Sequence, residues 1–215
     1  MARGNGTVPY RRFDWEVSGE MIAAVGYADL APGTLTLVEA ELRARLEWTV
    51  AGVPGLVRAG AGVPLAFGRA LRAAGRQLVV VTPTQGMVPA LLPGRDRVAT
   101  GELLALAWQV RLLAYDPADR DACVAADERM IAGARQLLAV WDGSPSDGRD
   151  ATAHLVAYAR AHGVPVEIVW PRGAVREGMS IAPQPERGRG PRGGGPSSTT
   201  VDRRSTPSTS EARSL

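Results

Sequence analysis

The 215-residue chain has no lysine; all 25 of its basic residues are arginine. With its abundant alanine and glycine, this points to a GC-rich genome before it points to function. It has one cysteine, Cys123, and two histidines, His154 and His162. A single thiol excludes an internal disulfide and suits a reducing, cytoplasmic compartment. So little sulfur and imidazole leaves no cysteine-rich zinc site, and the sequence calls for no metal and no cofactor. No run of about 18 or more apolar residues occurs, so no membrane span is expected. Arg11-Arg12 is followed by the polar Phe13-Asp14-Trp15-Glu16, so the N-terminus does not read as a signal peptide.

Excess charge is also scarce. From Gly178 onward the chain carries 6 arginines against 3 acids, while residues 1–177 carry 19 of each. The net charge of +3 therefore belongs to the C-terminal stretch. Nothing in that balance argues for nucleic-acid binding by the core.

What is present is ordinary globular material: 45% hydrophobic and 22% charged residues, enough for one core without staples. Short apolar runs alternate with amphipathic segments. Met21–Tyr27, Gly55–Ala59, Leu78–Val81, Gln109–Leu113, Gln136–Trp141 and Val166–Trp170 read as strands, with Thr82-Pro83 stopping the third. Residues 34–50 place Leu35, Val38, Leu42, Leu46 and Val50 at helical spacing, with Pro32 suited to the helix start. Further helices are expected over Pro64–Ala74, Asp96–Trp108, Pro117–Ala134 and Ala151–Ala161. Strands apolar throughout are buried on both faces, as in a parallel sheet covered by helices. The reading is a doubly wound, mostly parallel α/β sheet of five or six strands, Rossmann-like, spanning residues 21–177. Residues 1–20 are expected to be a polar arm. Residues 178–215 are rich in Gly, Pro, Ser, Thr and Arg, and are expected to be a disordered, solvated tail.

Ligands of an open parallel sheet bind beyond the carboxyl ends of its strands. The residues found there are Gly26 and Asp29 after the first strand, and Gly60 and Gly62 after the second. Asp142, Gly143, Ser144 and Gly148 follow a late strand and lead to a helix start at Thr152. A strand, a Gly/Ser-rich loop and a helix N-terminus can hold an anion without lysine, though an ordinary βα loop with an Asx turn has the same composition. Asp150 opposes an anion there unless it turns outward as the helix N-cap. Asp29, Asp142 and His154 are the candidates for chemistry. His162 suits a helix C-terminus and is assigned no role. Trp141 and Trp170 read as core aromatics that could also wall a base.

The segment LLAVWDGSPSDGRDATAHLVAYARAHGVPVEIVWPRGA, Leu137–Ala174, resembles the second half of SLOG-type Rossmannoid proteins. Their pattern is a strand, "VWDG-x-P", a Gly-Gly-Thr turn, a helix, and a "VVWP-x-GA" strand. Gly26-Tyr27-Ala28-Asp29-Leu30 is similar to a turn in the first half. The superfamily includes LOG-type phosphoribohydrolases, the DNA-processing protein and the molybdenum-cofactor carrier. The resemblance implies a nucleotide-binding Rossmannoid fold and, as in LOG-type relatives, a homodimer. The departures are specific. The Gly-Gly-Thr turn falls on Asp150-Ala151-Thr152, keeping only Thr152. The Gly-Ala-Asp turn falls near Gly60-Ala61-Gly62, without its acid. The acid before "LLAVWDG" is Gln136, the LOG-type glutamate position is Leu155, and a commonly acidic position is His154.

Glycosidic cleavage needs a carboxylate at the reacting centre, and the position implied by the resemblance is apolar. The expected function is binding of a nucleotide or nucleoside-derived ligand at the carboxyl edge of the sheet, as sensor, carrier or degenerate enzyme. The alternatives are an N-glycosidase or phosphoribohydrolase acting on a nucleotide, and a scaffold without a ligand.

Overall fold

A computed structural model describes residues 21–86, 88–147 and 150–177. The expected arm, the expected tail and Gly148 lie outside the described residues.

Seven strands form one sheet: β1 Ile22–Gly26, β2 Gly55–Arg58, β3 Leu78–Gln85, β4 Val88–Pro89, β5 Gln109–Ala114, β6 Gln136–Val140 and β7 Val166–Val169. The helices are α1 Pro32–Trp48, α2 Val63–Ala73, α3 Gly94–Leu106, α4 Arg120–Ala132 and α5 Thr152–Ala161. The parallel strands run β5-β3-β2-β1-β6-β7, with β4 antiparallel at the end of β3. The fold is the expected Rossmann-like α/β sheet, with helices on both faces.

The strict alternation of β1 divides the core. Ile22 and Ala24 point to the face covered by α1, α2 and α3, where they join Val38, Leu42, Phe67, Leu71 and Leu103. Ala23 and Val25 point to the opposite face, packing with Leu155, Val156 and Ala159 of α5 and Ile131 of α4. Met130 and Ala126 of α4 cover Leu56, Val79 and Val81 on that same side. With both faces buried, the strands can be apolar at every position.

One boundary moves. β3 continues through Thr82-Pro83 to Gln85 instead of stopping there. β2 has already ended opposite Val81, so no neighbour on that side requires the N–H that Pro83 lacks. The carbonyl of Pro83 points to the same side and accepts from Ala90 N at 2.8 Å, just beyond β4. β4, two residues long, is too short for any periodicity to announce it. The weaker pattern of β5 has a reason: it is an edge strand with Val110 and Leu112 exposed.

From β1 the chain winds outward to β5, then returns to β6 on the other side of β1. After β1 it leaves for α1 on one face, and after β6 it leaves for α5 on the other. The two loops diverge and open a crevice above the carboxyl ends of β1 and β6. No described helix is long and apolar enough to cross a membrane.

Candidate functional site

A cleft of about 510 Å³ occupies the carboxyl edge of the sheet. Its floor includes Ala24, Val25 and Gly26 of β1 and Arg58 at the end of β2. In a parallel α/β fold, each helix that follows a strand starts at this edge. The first turns of α2, α3, α4 and α5 accordingly border the cleft, through Pro64, Arg95, Arg120 and Thr152. Their dipoles favour negative charge at that rim.

Four arginines and four aspartates line the space, and each arginine meets a carboxylate. Arg58 Nε donates to Asp127 Oδ1 at 2.8 Å, a pair nearly closed from solvent on the aspartate side. Burial alone would lower the Arg58 pKa, but the Asp127 charge and hydrogen bond outweigh it and hold the guanidinium firmly protonated. Arg176 reaches Asp29 Oδ2 at 3.2 Å and lies 4.1 Å above the Tyr27 ring. It is brought there by an antiparallel bridge between Leu30 and Arg176, and by Thr34 Oγ1, which donates to Val175 O and accepts from Val175 N. Arg120 donates to the Asp147 and Asp150 carbonyls as well as to Asp121. Arg95 stands at the exposed rim, 3.6 Å from Asp96. Asp96 in turn accepts from Ala61 N at 3.1 Å, fixing the loop after β2.

The N-terminus of α5 is filled from within. Asp150 is buried, its Oδ2 accepting from Thr152 N at 3.1 Å and its Oδ1 from Thr152 Oγ1 at 2.6 Å. Burial pushes its carboxyl above the ordinary range, against the two Thr152 hydrogen bonds and the Arg176 charge that lower it. An acid with a raised native pKa weakens the fold where it is ionised, and the penalty fades as pH falls through that pKa. Asp150→Asn keeps an acceptor for Thr152 N and removes the charge. It should melt at a higher temperature than wild type at about pH 7, with the difference gone by about pH 3, below the carboxylate range. Thermal denaturation at the two pH values checks this; equal melting at both would show that the charge carries no penalty.

Asp142, Gly143 and Ser144 form a separate cluster and do not line the cleft. Asp142 Oδ1 accepts from Tyr27 OH at 2.5 Å, Ser144 Oγ at 2.5 Å and Ser144 N at 2.9 Å. Burial pushes its carboxyl up, but the Ser144 and Tyr27 bonds outweigh that and hold it below the usual value. Burial raises the Tyr27 hydroxyl to about 12, with the Asp142 bond adding to the effect. Trp141 Nε1 donates to Ser144 O at 2.7 Å, and Trp170 meets the Tyr27 ring edge-on at 5.8 Å. Both tryptophans pack against the core under α1 and α2.

Of the residues singled out from sequence, the structure brings Gly26, Asp29 and Thr152 to the cleft. Gly60 and Gly62 lie in the loop between β2 and α2, outside the lining. His154 is outside the lining, half exposed, with Nε2 2.7 Å from Glu128 Oε1. Cys123 lines the cleft, and burial pushes its thiol pKa up. The lining residues that sequence reasoning missed include Arg58, Asp127 and Arg176. The one signal was a charged residue, Arg58, inside the apolar run Gly55–Ala59. Among the described residues no group of three or more His, Cys, Asp or Glu side chains is arranged to hold a metal ion.

No family model and no curated protein matches the chain. Among solved structures it is similar to DNA processing protein A from Streptococcus pneumoniae, at 17% identity and a TM-score of 0.45, over 72% of this chain and 51% of that one. It is also similar to an uncharacterized protein from Agrobacterium tumefaciens C58, at 13% identity and a TM-score of 0.22, over 71% of this chain and 63% of that one. The chain thus spans about half the length of the first and under two thirds of the second.

Proposed function

We propose that the cleft at the carboxyl edge binds a nucleotide or nucleoside-derived ligand, held without cleavage. The observation that carries this reading is the cleft itself: about 510 Å³, a size that suits a small organic ligand, with arginines around it and four helix N-termini at its rim. Pro64, Pro93 and Pro117 give it flat apolar walls suited to a base or sugar, and the small residues Gly26, Ala28 and Ala151 allow close approach.

The carboxylates favour binding over glycosidic hydrolysis. A nucleophile or general acid must be able to reach the reacting atom. Asp29 is held by Arg176, Asp96 by Ala61 N, Asp127 by Arg58 and Asp150 by Thr152. Each is spent on keeping the cleft in shape.

The test is a thermal-shift panel of nucleoside monophosphates, their nucleosides and ribose 5-phosphate on the full chain. A ligand present at about 100 times its Kd adds about 2.7 kcal/mol. At about 2–4 °C per kcal/mol, that is a rise of roughly 5–10 °C. Release of free base over hours would replace this reading with hydrolysis, and silence across the panel would contradict both.

A further inference from the structure

If a phosphorylated ligand enters this cleft, its anion cannot sit where the sequence pattern suggests. Thr152 N and Oγ1 already serve the Asp150 carboxylate, which would repel a phosphate. The other arginines are committed as well. Arg176 donates to Asp29 through both Nε and Nη2, Arg120 uses both terminal nitrogens, and Arg95 stands in solvent at the rim.

Arg58 differs. Its Nε is engaged on Asp127, and the buried Tyr115 hydroxyl lies beside the same guanidinium, within reach of its charge and its donors. Nη1 and Nη2 carry four N–H donors between them, more than the single Tyr115 hydroxyl can take. The side chain is 27% exposed and lines the cleft. The guanidinium is also pre-positioned. β2 fixes its backbone in parallel register with β3, and Asp127 of α4 fixes its Nε side. An arginine held in this way offers a rigid two-donor fork that matches two oxygens of a phosphate.

We propose that Arg58 is the anion anchor of the cleft: its two terminal amino groups take two oxygens of the ligand's phosphate monoester, and Asp127 is the positioning residue that aims them. The inference rests on the nucleotide reading above and adds where the phosphate goes. Because Asp127 offsets the charge of Arg58, selectivity for the phosphate comes from fork geometry in a shielded place, not from net charge. A charge-assisted bidentate contact of this kind supports a preference of about tenfold or more for the monophosphate over its nucleoside.

The experiment is calorimetry on the full chain with AMP, GMP, CMP and UMP and the four matching nucleosides, in wild type and Arg58→Lys. Lysine keeps the charge and the pairing with Asp127 but loses the fork. At least one monophosphate should bind wild type about tenfold or more tightly than its nucleoside. In Arg58→Lys the nucleoside affinity should hold, while the monophosphate falls to within about threefold of it. Should Arg58→Lys fail to fold, Arg58→Gln with Asp127→Asn removes both charges together and carries the same comparison. A monophosphate preference that survives the substitution, or is absent from wild type while nucleosides bind, overturns the anchor and leaves the nucleotide reading standing. Wild type that binds none of the eight probes overturns the nucleotide reading and the anchor with it.

Discussion

Gly62→Ala should cost the domain about 4 kcal/mol, although the change adds one methyl group at a loop position. Gly62 precedes α2 at φ 72° and ψ −122°, a conformation that residues with a Cβ rarely adopt. Holding alanine there costs of order 1–3 kcal/mol in strain. The added Cβ would also stand 2.3 Å from the Tyr27 carbonyl oxygen and 2.6 Å from Ala28 Cα. Both are backbone atoms, so neither a rotamer change nor a flexible tip can yield. Overpacking of this kind costs about another 1–3 kcal/mol. The same close approach lets Val63 N donate to Tyr27 O at 3.1 Å, tying the start of α2 to the end of β1. Denaturant unfolding measures the loss; a cost below about 1 kcal/mol would show that the loop after β2 relaxes freely and does not frame the cleft.

Asp127→Ala is the second large effect. Asp127 is 8% exposed and is the carboxylate that faces the guanidinium of Arg58. Its removal leaves the largely buried guanidinium of Arg58 with its counter-charge gone. Breaking one side of a buried pair costs about 3–5 kcal/mol. Since Arg58 keeps some contact with water in the cleft, we expect the lower end, about 3 kcal/mol, or a fall in Tm of about 6–12 °C. Asp127→Asn, which keeps an acceptor for Arg58 Nε, should lose less. Equal losses for the two would show that the charge alone, and not the acceptor or the packing, sets the value of Asp127.

Legibility from sequence follows the range of the interactions. The strands were readable because burial on both faces leaves an apolar run, as in Leu78–Val81 or Leu137–Val140. Helix α1 was readable because Val38, Leu42 and Leu46 repeat at the spacing that places them on one face, and all three are buried. The sheet edge as the place for a ligand, with Asp29 and Thr152 on it, followed from the chain order of strand and helix. The chemistry of the cleft did not, because it is made by pairs far apart in the chain. Arg58 meets Asp127 across 69 positions, and Arg176 meets Asp29 across 147. Tyr27 takes Asp142 across 115 positions, so a carboxylate at a strand end is drawn into a loop cluster in place of the cleft. No local pattern encodes such a pairing. Asp150 shows the opposite case: a departure from the resembled Gly-Gly-Thr turn, visible in sequence, has a local structural meaning as the carboxylate that occupies the start of α5.

If the cleft at the carboxyl edge is where this protein holds its ligand, Ala118→Trp should close it. Ala118 is exposed and lines the cleft just before α4, so a large ring there fills the space without disturbing a buried side chain. The measurement is the thermal shift given by the best nucleotide of the panel, compared between wild type and this variant. We predict a rise of roughly 5–10 °C in wild type and none in Ala118→Trp, with the two ligand-free proteins melting within about 1 °C of each other. A shift of the same size in Ala118→Trp would place the ligand outside the cleft.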